Sequence, residues 1–126
     1  MKIVLNFSVL RFLLLVCAMF SILSCTADAQ ESCEQLEEKY VDADGMVDLL
    51  DQTSFSFSEQ FDTSQSSWIK AASYYSCDGA KGYFVLRTYK KVYLYKDVPK
   101  DLWNRFKQAD SLGSFYNIQI KGRYEY

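Results

Sequence analysis

An apolar run near the start of the chain contrasts with the mixed pattern that follows it. Residues 12–23 contain a single polar residue, Ser21, and a short stretch of mostly small residues, 24–29, follows. Basic residues precede the run, and the order basic, apolar, small is typical of a secretory signal peptide. The run is shorter than the about 20 apolar residues that a transmembrane helix needs. We therefore predict an exported protein in which residues 1–29 form a signal peptide.

Two kinds of processing fit this leader. Ala27-Asp28-Ala29 forms an A-x-A cleavage site, and cleavage after it would give a periplasmic or secreted protein. Residues 22–25, with the sequence ILSC, instead resemble a lipobox. In that case the signal would span residues 1–24, and a lipid on Cys25 would hold the protein on a membrane. Both alternatives stay open at this point.

Residues 30–65 form a separate acidic extension. Ser32 and Gln35 have the spacing of a capping box, and apolar residues at helical spacing continue up to Asp44-Gly45, where we expect the helix to end. Residues 52–67 are rich in Ser, Thr and Gln. We predict a loose tether there, docked on the following domain by three phenylalanines, Phe55, Phe57 and Phe61.

Residues 66–126 carry the pattern of a small α+β domain. Strands are predicted over 68–75, 83–89 and 92–95, where β-branched and aromatic residues are concentrated. Pro99 opens an amphipathic helix over 100–109, and Gly113 lies just past its end. The last segment, 114–124, is more β-like. We expect an antiparallel sheet packed against one helix, preceded by the acidic helix and tether.

The same region resembles the KTSC domain, a module found at the C-terminus of some lysyl-tRNA synthetases and as a small bacterial protein. The residues that carry the resemblance are Ser66-Ser67-Trp68-Ile69, Tyr74, Tyr93-Leu94-Tyr95, Val98-Pro99, Ala109-Asp110-Ser111, Gly113, Phe115, Asn117, Ile120-Lys121-Gly122 and Tyr124. The resemblance implies a fold and, as a functional expectation, nucleic-acid binding. One departure stands out, because Thr88-Tyr89-Lys90-Lys91 occupies a turn where the family usually has glycine.

The composition argues against several kinds of chemistry. The chain has no histidine, which removes the commonest general base and most zinc sites. The pattern Asp42-x-Asp44-Gly45 has its glycine at the wrong position for a calcium loop. We therefore predict a non-enzymatic protein with no catalytic residues, metal or cofactor. Cys33 and Cys77 both lie in the exported part, and we expect them to form one disulfide.

Charge is divided unevenly along the exported chain. Residues 30–67 have ten acids and one base, a net charge of −9, whereas residues 68–126 have eleven bases and five acids, a net charge of +6. Within the basic half, Tyr93 and Tyr95 lie on one side of their strand and Leu94 on the other. If Leu94 faces the helix, the two tyrosines form an exposed strip; if the tyrosines face the helix, there is no strip.

We predict a binding face built on this strip. Its candidate residues are Tyr93, Tyr95, Arg87, Lys90, Lys91, Lys121 and Arg123. The expected partner is a protein or polymer of the cell envelope. Nucleic acid is the alternative, because cations suit phosphates and aromatic rings suit bases. Export makes RNA a less expected partner, and membrane contact would arise only through a lipid on Cys25.

Overall fold

The computed structural model describes residues 32–38 and 42–126. A 3-10 helix (Cys33–Glu38) and helix α1 (Ala43–Gln52) precede four strands, β1 (Phe57–Phe61), β2 (Ile69–Ser76), β3 (Lys81–Thr88) and β4 (Val92–Pro99). Helix α2 (Lys100–Lys107), the one-turn helix α3 (Leu112–Phe115) and a π-helical turn (Tyr116–Ile120) follow. The α+β prediction is confirmed. The predicted leader and Cys25 lie outside the described residues.

The strands form one antiparallel sheet in the order β1-β2-β3-β4, so each strand pairs with its neighbour in sequence. Short hairpin turns join β2 to β3 and β3 to β4. Pro99 ends β4 and is also the N-cap residue of α2, so the chain passes directly from sheet to helix. This places α2 against the sheet at the end opposite the β3–β4 turn.

The side of the sheet that faces α2 carries a core rich in aromatic residues, which we call the α2-side cluster. Trp103 is fully buried at its centre, stacked on Tyr74 and Phe106 at centroid distances of 5.7 and 5.8 Å. Phe84 meets Phe106 edge to face at 5.1 Å. The tyrosine hydroxyls in this core have partners, since Tyr74 donates to the carbonyl of Val98 at 2.7 Å. Burial raises the pKa of Tyr74 to about 12.

The opposite side of the sheet is covered by the acidic extension and carries the α1-side cluster. Its buried residues are mainly aliphatic: Leu36, Met46, Val47, Leu50, Tyr83, Val85 and Leu94. Helix α1 begins at the N-cap Asp42, whose carboxylate accepts a 2.8 Å hydrogen bond from the amide of Gly45. The i, i+1, i+4 spacing of Met46, Val47 and Leu50 then directs one face of the helix onto the sheet. Helices therefore cover both sides.

A disulfide joins the acidic extension to the sheet. Cys33 and Cys77 are bonded with a Cα–Cα distance of 5.6 Å, which confirms the predicted pair. Cys77 directly follows β2, so the bond fixes the 3-10 helix to the β2–β3 turn. The hydroxyl of Ser56 adds hydrogen bonds of 3.1 and 2.6 Å to the carbonyls of Ser76 and Cys77. These contacts hold the chain on both sides of α1 close to the same turn.

Three local predictions differ from the structure. The expected helix end at Asp44-Gly45 is instead the first turn of α1, because Asp42 caps a new helix there. The segment predicted as a tether contains strand β1, which pairs with β2 across the boundary predicted at residue 66. The predicted β-like segment 114–124 contains helical turns, because Ser111 caps α3 and three residues four apart, Leu112, Tyr116 and Ile120, are buried in the α2-side cluster.

Candidate functional site: the basic hairpin end

The turn between β3 and β4 is held by a threonine hydroxyl. Thr88 Oγ1 accepts hydrogen bonds from the amides of Lys90 and Lys91, both at 3.2 Å, and donates to the carbonyl of Lys91 at 3.0 Å. None of residues 88–91 has a positive φ. The turn therefore needs no glycine, which explains how this chain departs from the family pattern. The amides of two lysines are fixed, and their side chains extend into solvent.

Two lysine ammonium groups lie over tyrosine rings around this turn. The Nζ atom of Lys70, on β2, lies 3.8 Å from the ring centroid of Tyr89, and Nζ of Lys91 lies 4.4 Å from the ring of Tyr93. The Tyr89 side chain is 79% exposed, the largest exposure among the big apolar and aromatic side chains of the described ranges. We call Lys70, Tyr89, Lys90, Lys91 and Tyr93 the basic hairpin end.

The lysines of this surface are exposed and form no ion pair with an acid of the described residues. Lys70, Lys90 and Lys91 are exposed. Within residues 32–38 and 42–126, no carboxylate forms an ion pair with any of the three. Some other bases are paired with acids, such as Lys107 with Glu59 at 2.7 Å and Lys81 with Asp97 at 2.7 Å. The turn is therefore a local concentration of positive charge, and it would attract an anionic partner.

Tyr95 does not belong to an exposed surface, so the predicted tyrosine strip is wrong. Its side chain is 9% exposed, and its hydroxyl lies 2.5 Å from that of Tyr116 inside the α2-side cluster. Burial raises the pKa of both tyrosines. Tyr93 lies on the same side of β4 but nearer the turn, and it is partly buried against the same cluster. Tyr93 and Tyr95 do share one side of β4, as predicted. That side is covered by the α2-side cluster, so the two tyrosines form no exposed strip.

The other predicted binding residues are dispersed. Arg87 lies on the α1 side of the sheet, where its guanidinium is 3.5 Å from a carboxylate oxygen of Asp51. Lys121 and Arg123 are exposed in the segment after the π-helical turn, whose Glu125 carbonyl accepts a 3.0 Å hydrogen bond from the amide of Lys96 on β4. The structure thus brings together Tyr93, Lys90 and Lys91, but not Arg87, Lys121 or Arg123.

Two members of the basic hairpin end were missed in the sequence. Tyr89 belongs to the predicted turn Thr88-Tyr89-Lys90-Lys91 and ends the predicted strand 83–89, but it is not among the candidate binding residues. Lys70 is distant in sequence, and strand register is what brings it close, because Ile69 pairs with Thr88. In an antiparallel pair, a residue next to Ile69 on β2 lies close to the β3–β4 turn that begins at Thr88. The alternation of side chains in β4 alone could not identify Lys70, because Lys70 lies on another strand.

Several carboxylates of the domain are engaged in structural contacts. Asp78 accepts hydrogen bonds from the amides of Ala80 and Lys81 at 2.8 and 3.0 Å, and these bonds lower its pKa. Asp101 pairs with Arg105 at 3.0 Å along α2. In the described part of the chain, no three Asp, Glu or Cys side chains group closely enough to hold a metal ion. Among those same residues, no helix has the length and apolar character needed to cross a bilayer.

The sequence of the hairpin end and the elements after it has a known counterpart. Residues 88–124 match the family model of the KTSC domain. The KTSC match begins at the Thr88 turn, includes Lys90, Lys91 and Tyr93, and continues through α2 to the last helical turn. It supports the resemblance noted in the sequence and names a domain without assigning an activity. Neither a search of the curated proteins nor a search of the solved structures finds a match.

Proposed function

We propose that this protein is an exported, non-enzymatic module that binds an anionic polymer of the cell envelope through its basic hairpin end. The observation that carries the proposal is the cluster of Lys70, Lys90 and Lys91, exposed and without a carboxylate partner among the described residues, around the exposed ring of Tyr89. Such a surface attracts repeated negative charges, and its affinity comes largely from release of the polymer's counterions.

Export is supported by two independent features. The leader has the order of residues that signal peptidases recognise, and the Cys33–Cys77 disulfide is of a kind that persists in oxidising compartments. Mass spectrometry of the protein from its native host tests this part. We expect either loss of residues 1–29 or loss of residues 1–24 with a lipid on Cys25. A native chain that retains its leader would contradict export.

Polymer binding is tested with labelled polygalacturonate, a polyanion without aromatic rings, at low and high salt. We expect binding that weakens as salt rises. The double variant Lys90→Gln/Lys91→Gln should reduce the slope of log affinity against log salt by roughly one to two. The matched control, Lys96→Gln/Lys121→Gln, removes the same charge elsewhere and should bind like the unmodified protein. Equal losses in both variants would contradict a localised site.

Nucleic acid is the alternative partner, and the exposure of Tyr89 is the observation that favours it. An exposed ring beside cations can stack on a base, which is worth about 1–3 kcal/mol per base. Labelled oligouridylate in the same assay distinguishes the two classes. If RNA binds more tightly than polygalacturonate and Tyr89→Ser weakens RNA binding alone, nucleic acid replaces the envelope polymer. If neither polymer binds at low salt, both proposals fail.

A further inference from the structure

A small polar pocket lies between the β1–β2 loop and the loop that joins α2 to α3. Its volume is about 170 Å³. The side chains around it offer an amide, hydroxyls, a carboxylate and an indole, and its principal lining residues are Gln65, Ser67, Trp68, Asp110, Ser111 and Gly113. Both loops contribute residues that carry the KTSC resemblance, although they are about 40 positions apart in the chain.

The wall formed by the β1–β2 loop is fixed by hydrogen bonds. Ser66 Oγ accepts from the amide of Ile69 at 3.1 Å, and the amide of Ser66 donates to the carbonyl of Thr63 at 2.8 Å. The buried hydroxyl of Thr63 donates in turn to the carbonyl of Ile69 at 3.2 Å. These bonds tie the loop to the start of β2. This wall of the pocket is therefore ordered without a ligand, which lowers the entropic cost of binding.

Trp68 and Gly113 form the contact between the two loops. A Cβ atom on Gly113 would lie 2.6 Å from Trp68 Nε1, so only glycine lets the indole approach this closely. The Trp68 ring also packs edge to face on Tyr116, at a centroid distance of 5.6 Å. The indole is thus held in place by both neighbours, and it forms the one large rigid surface of the pocket.

The indole N–H of Trp68 differs from that of the other tryptophan. Trp103 Nε1 donates to Glu59 at 2.7 Å, whereas Trp68 Nε1 has no acceptor among the hydrogen bonds of the described residues. Trp68 Nε1 lies against Gly113, which also lines the pocket, so this N–H lies at the edge of the pocket and can donate to a ligand there. The nearby carboxylate of Asp110 and the amide of Gln65 add an acceptor and a group that can both donate and accept.

We propose that this pocket binds one uncharged sugar residue. Its lining mixes donors with acceptors and contains no lysine or arginine, so it suits a polyhydroxylated ligand better than an anion. The volume is below the range of drug-sized sites, which fits a single ring. Lys70, at the start of β2, follows Trp68 by two residues, so their Cα atoms are at most about 7 Å apart. This inference rests on the proposed function and makes the polymer a glycan. One uncharged sugar of the glycan would occupy the pocket, and the negative charges of the same glycan would lie at the basic hairpin end.

Indole N–H signals in a nitrogen-15 NMR spectrum provide the test. Titration of the purified protein with N-acetylglucosamine or glucose should move the Trp68 signal in a saturable way, with a dissociation constant on the order of 1 mM for so small a contact. The Trp103 signal, whose N–H is already bonded to Glu59, serves as the internal reference and should stay in place. Trp68→Phe assigns the two signals.

Matched variants localise the binding. Asp110→Asn and Gln65→Ala should each weaken sugar binding several-fold. Their controls, Asp48→Asn on α1 and Gln60→Ala on β1, change exposed residues outside the pocket and should have no effect. A Trp68 signal that does not move with either sugar overturns the proposal. So does a signal that moves with methylammonium but not with sugars, because Asp110 would then mark a site for amines.

Sugar binding in the pocket and polymer binding at the basic hairpin end can be tested separately. Lys90→Gln/Lys91→Gln should leave the sugar-induced shift of Trp68 unchanged, because neither lysine lines the pocket. A saturable shift without polygalacturonate binding would support the pocket and contradict the basic hairpin end. Salt-dependent polymer binding without any shift would support the hairpin end and overturn the sugar site.

Discussion

The two sides of the sheet bury their apolar residues by different means. The α2-side cluster is made by strands and helices that follow one another in the chain, and it is filled by interlocking aromatic rings around Trp103. The α1-side cluster is aliphatic and depends on a helix from the acidic extension. The KTSC match covers β4, α2 and the last helical turns, and it leaves out the extension together with β1, β2 and nearly all of β3. The contacts alone therefore distinguish an aromatic core on the α2 side from a cover on the α1 side.

Covalent and polar contacts accompany the cover. The Cys33–Cys77 bond joins it to the sheet, and Asp51 at the end of α1 accepts a 2.7 Å hydrogen bond from the hydroxyl of Tyr75. Burial raises the pKa of Tyr75, and the hydrogen bond to Asp51 raises it further. The nearby Arg87 faces the same carboxylate from an adjacent strand. The acidic extension therefore neutralises one base on the α1 side and leaves the lysines of the hairpin end uncovered.

Replacing Trp103 by alanine should have the largest effect on stability, because it removes the centre of the α2-side cluster. The side chain is fully buried and meets Tyr74, Phe84 and Phe106, and deletion of such a ring costs about 3–5 kcal/mol. Chemical denaturation followed by far-ultraviolet circular dichroism measures the loss. Leu50→Ala, equally buried in the α1-side cluster, is the matched variant and should cost less. Equal losses would contradict the larger contribution that we assign to the aromatic core on the α2 side.

Removing the disulfide should have the next largest effect and acts on the α1 side. The bond spans 44 residues, for which the chain-entropy model gives about 4 kcal/mol. In the variant Cys33→Ser/Cys77→Ser, we expect amides of α1 to lose much of their protection from hydrogen exchange, while those of α2 and the central strands keep more of theirs. Hydrogen exchange with mass spectrometry measures the protection of both groups of amides. Uniform loss across the sheet would contradict the distinction between core and cover.

The sequence predicted the central elements well because their signals are local. Strands β2, β3 and β4 carry concentrated aromatic and β-branched residues, and α2 carries a helical apolar face after a proline. Strand β1 lacks such a signal, since its five residues, FSEQF, lie in a polar stretch. It forms because β2 offers an edge and because Phe57 and Phe61 pack on the α2-side cluster. These are tertiary contacts, which local composition does not report.

The candidate site was only partly predictable for a related reason. Alternation in β4 established that Tyr93 and Tyr95 share a side, but not whether that side is covered. Here both sides are covered, because α1 packs over Leu94 and the C-terminal helical turns pack over the tyrosines. The lysines of the turn were predicted correctly as neighbours because they are adjacent in sequence. Lys70 and the Trp68 pocket required the strand register and the approach of two loops.

The smallest effect concerns the edge strand β1, which an ion pair fastens to the α2 side. Glu59 accepts hydrogen bonds from Lys107 Nζ at 2.7 Å and from Trp103 Nε1 at 2.7 Å, and these bonds, led by Lys107, lower its pKa. A lowered pKa means that the ionised carboxylate stabilises the folded protein above the pKa of the unfolded chain. This contribution is lost as the pH falls through the lower pKa of the folded state.

Glu59→Gln tests that contribution, because glutamine can still accept from Trp103 but no longer carries the charge that pairs with Lys107. The Glu59 side chain is 36% exposed, so solvent screens the pair and we expect a loss below about 1 kcal/mol near neutral pH. The difference in melting temperature from the unmodified protein should shrink as the pH falls below the ordinary range for glutamate, about 4.3. Glu125→Gln, at an exposed position near the C-terminus, is the control and should show no such trend. A difference that stays constant down to strongly acidic pH would assign the loss to packing rather than charge, and the attachment of β1 to the α2 side would then rest on Phe57, Phe61 and the hydrogen bond from Trp103.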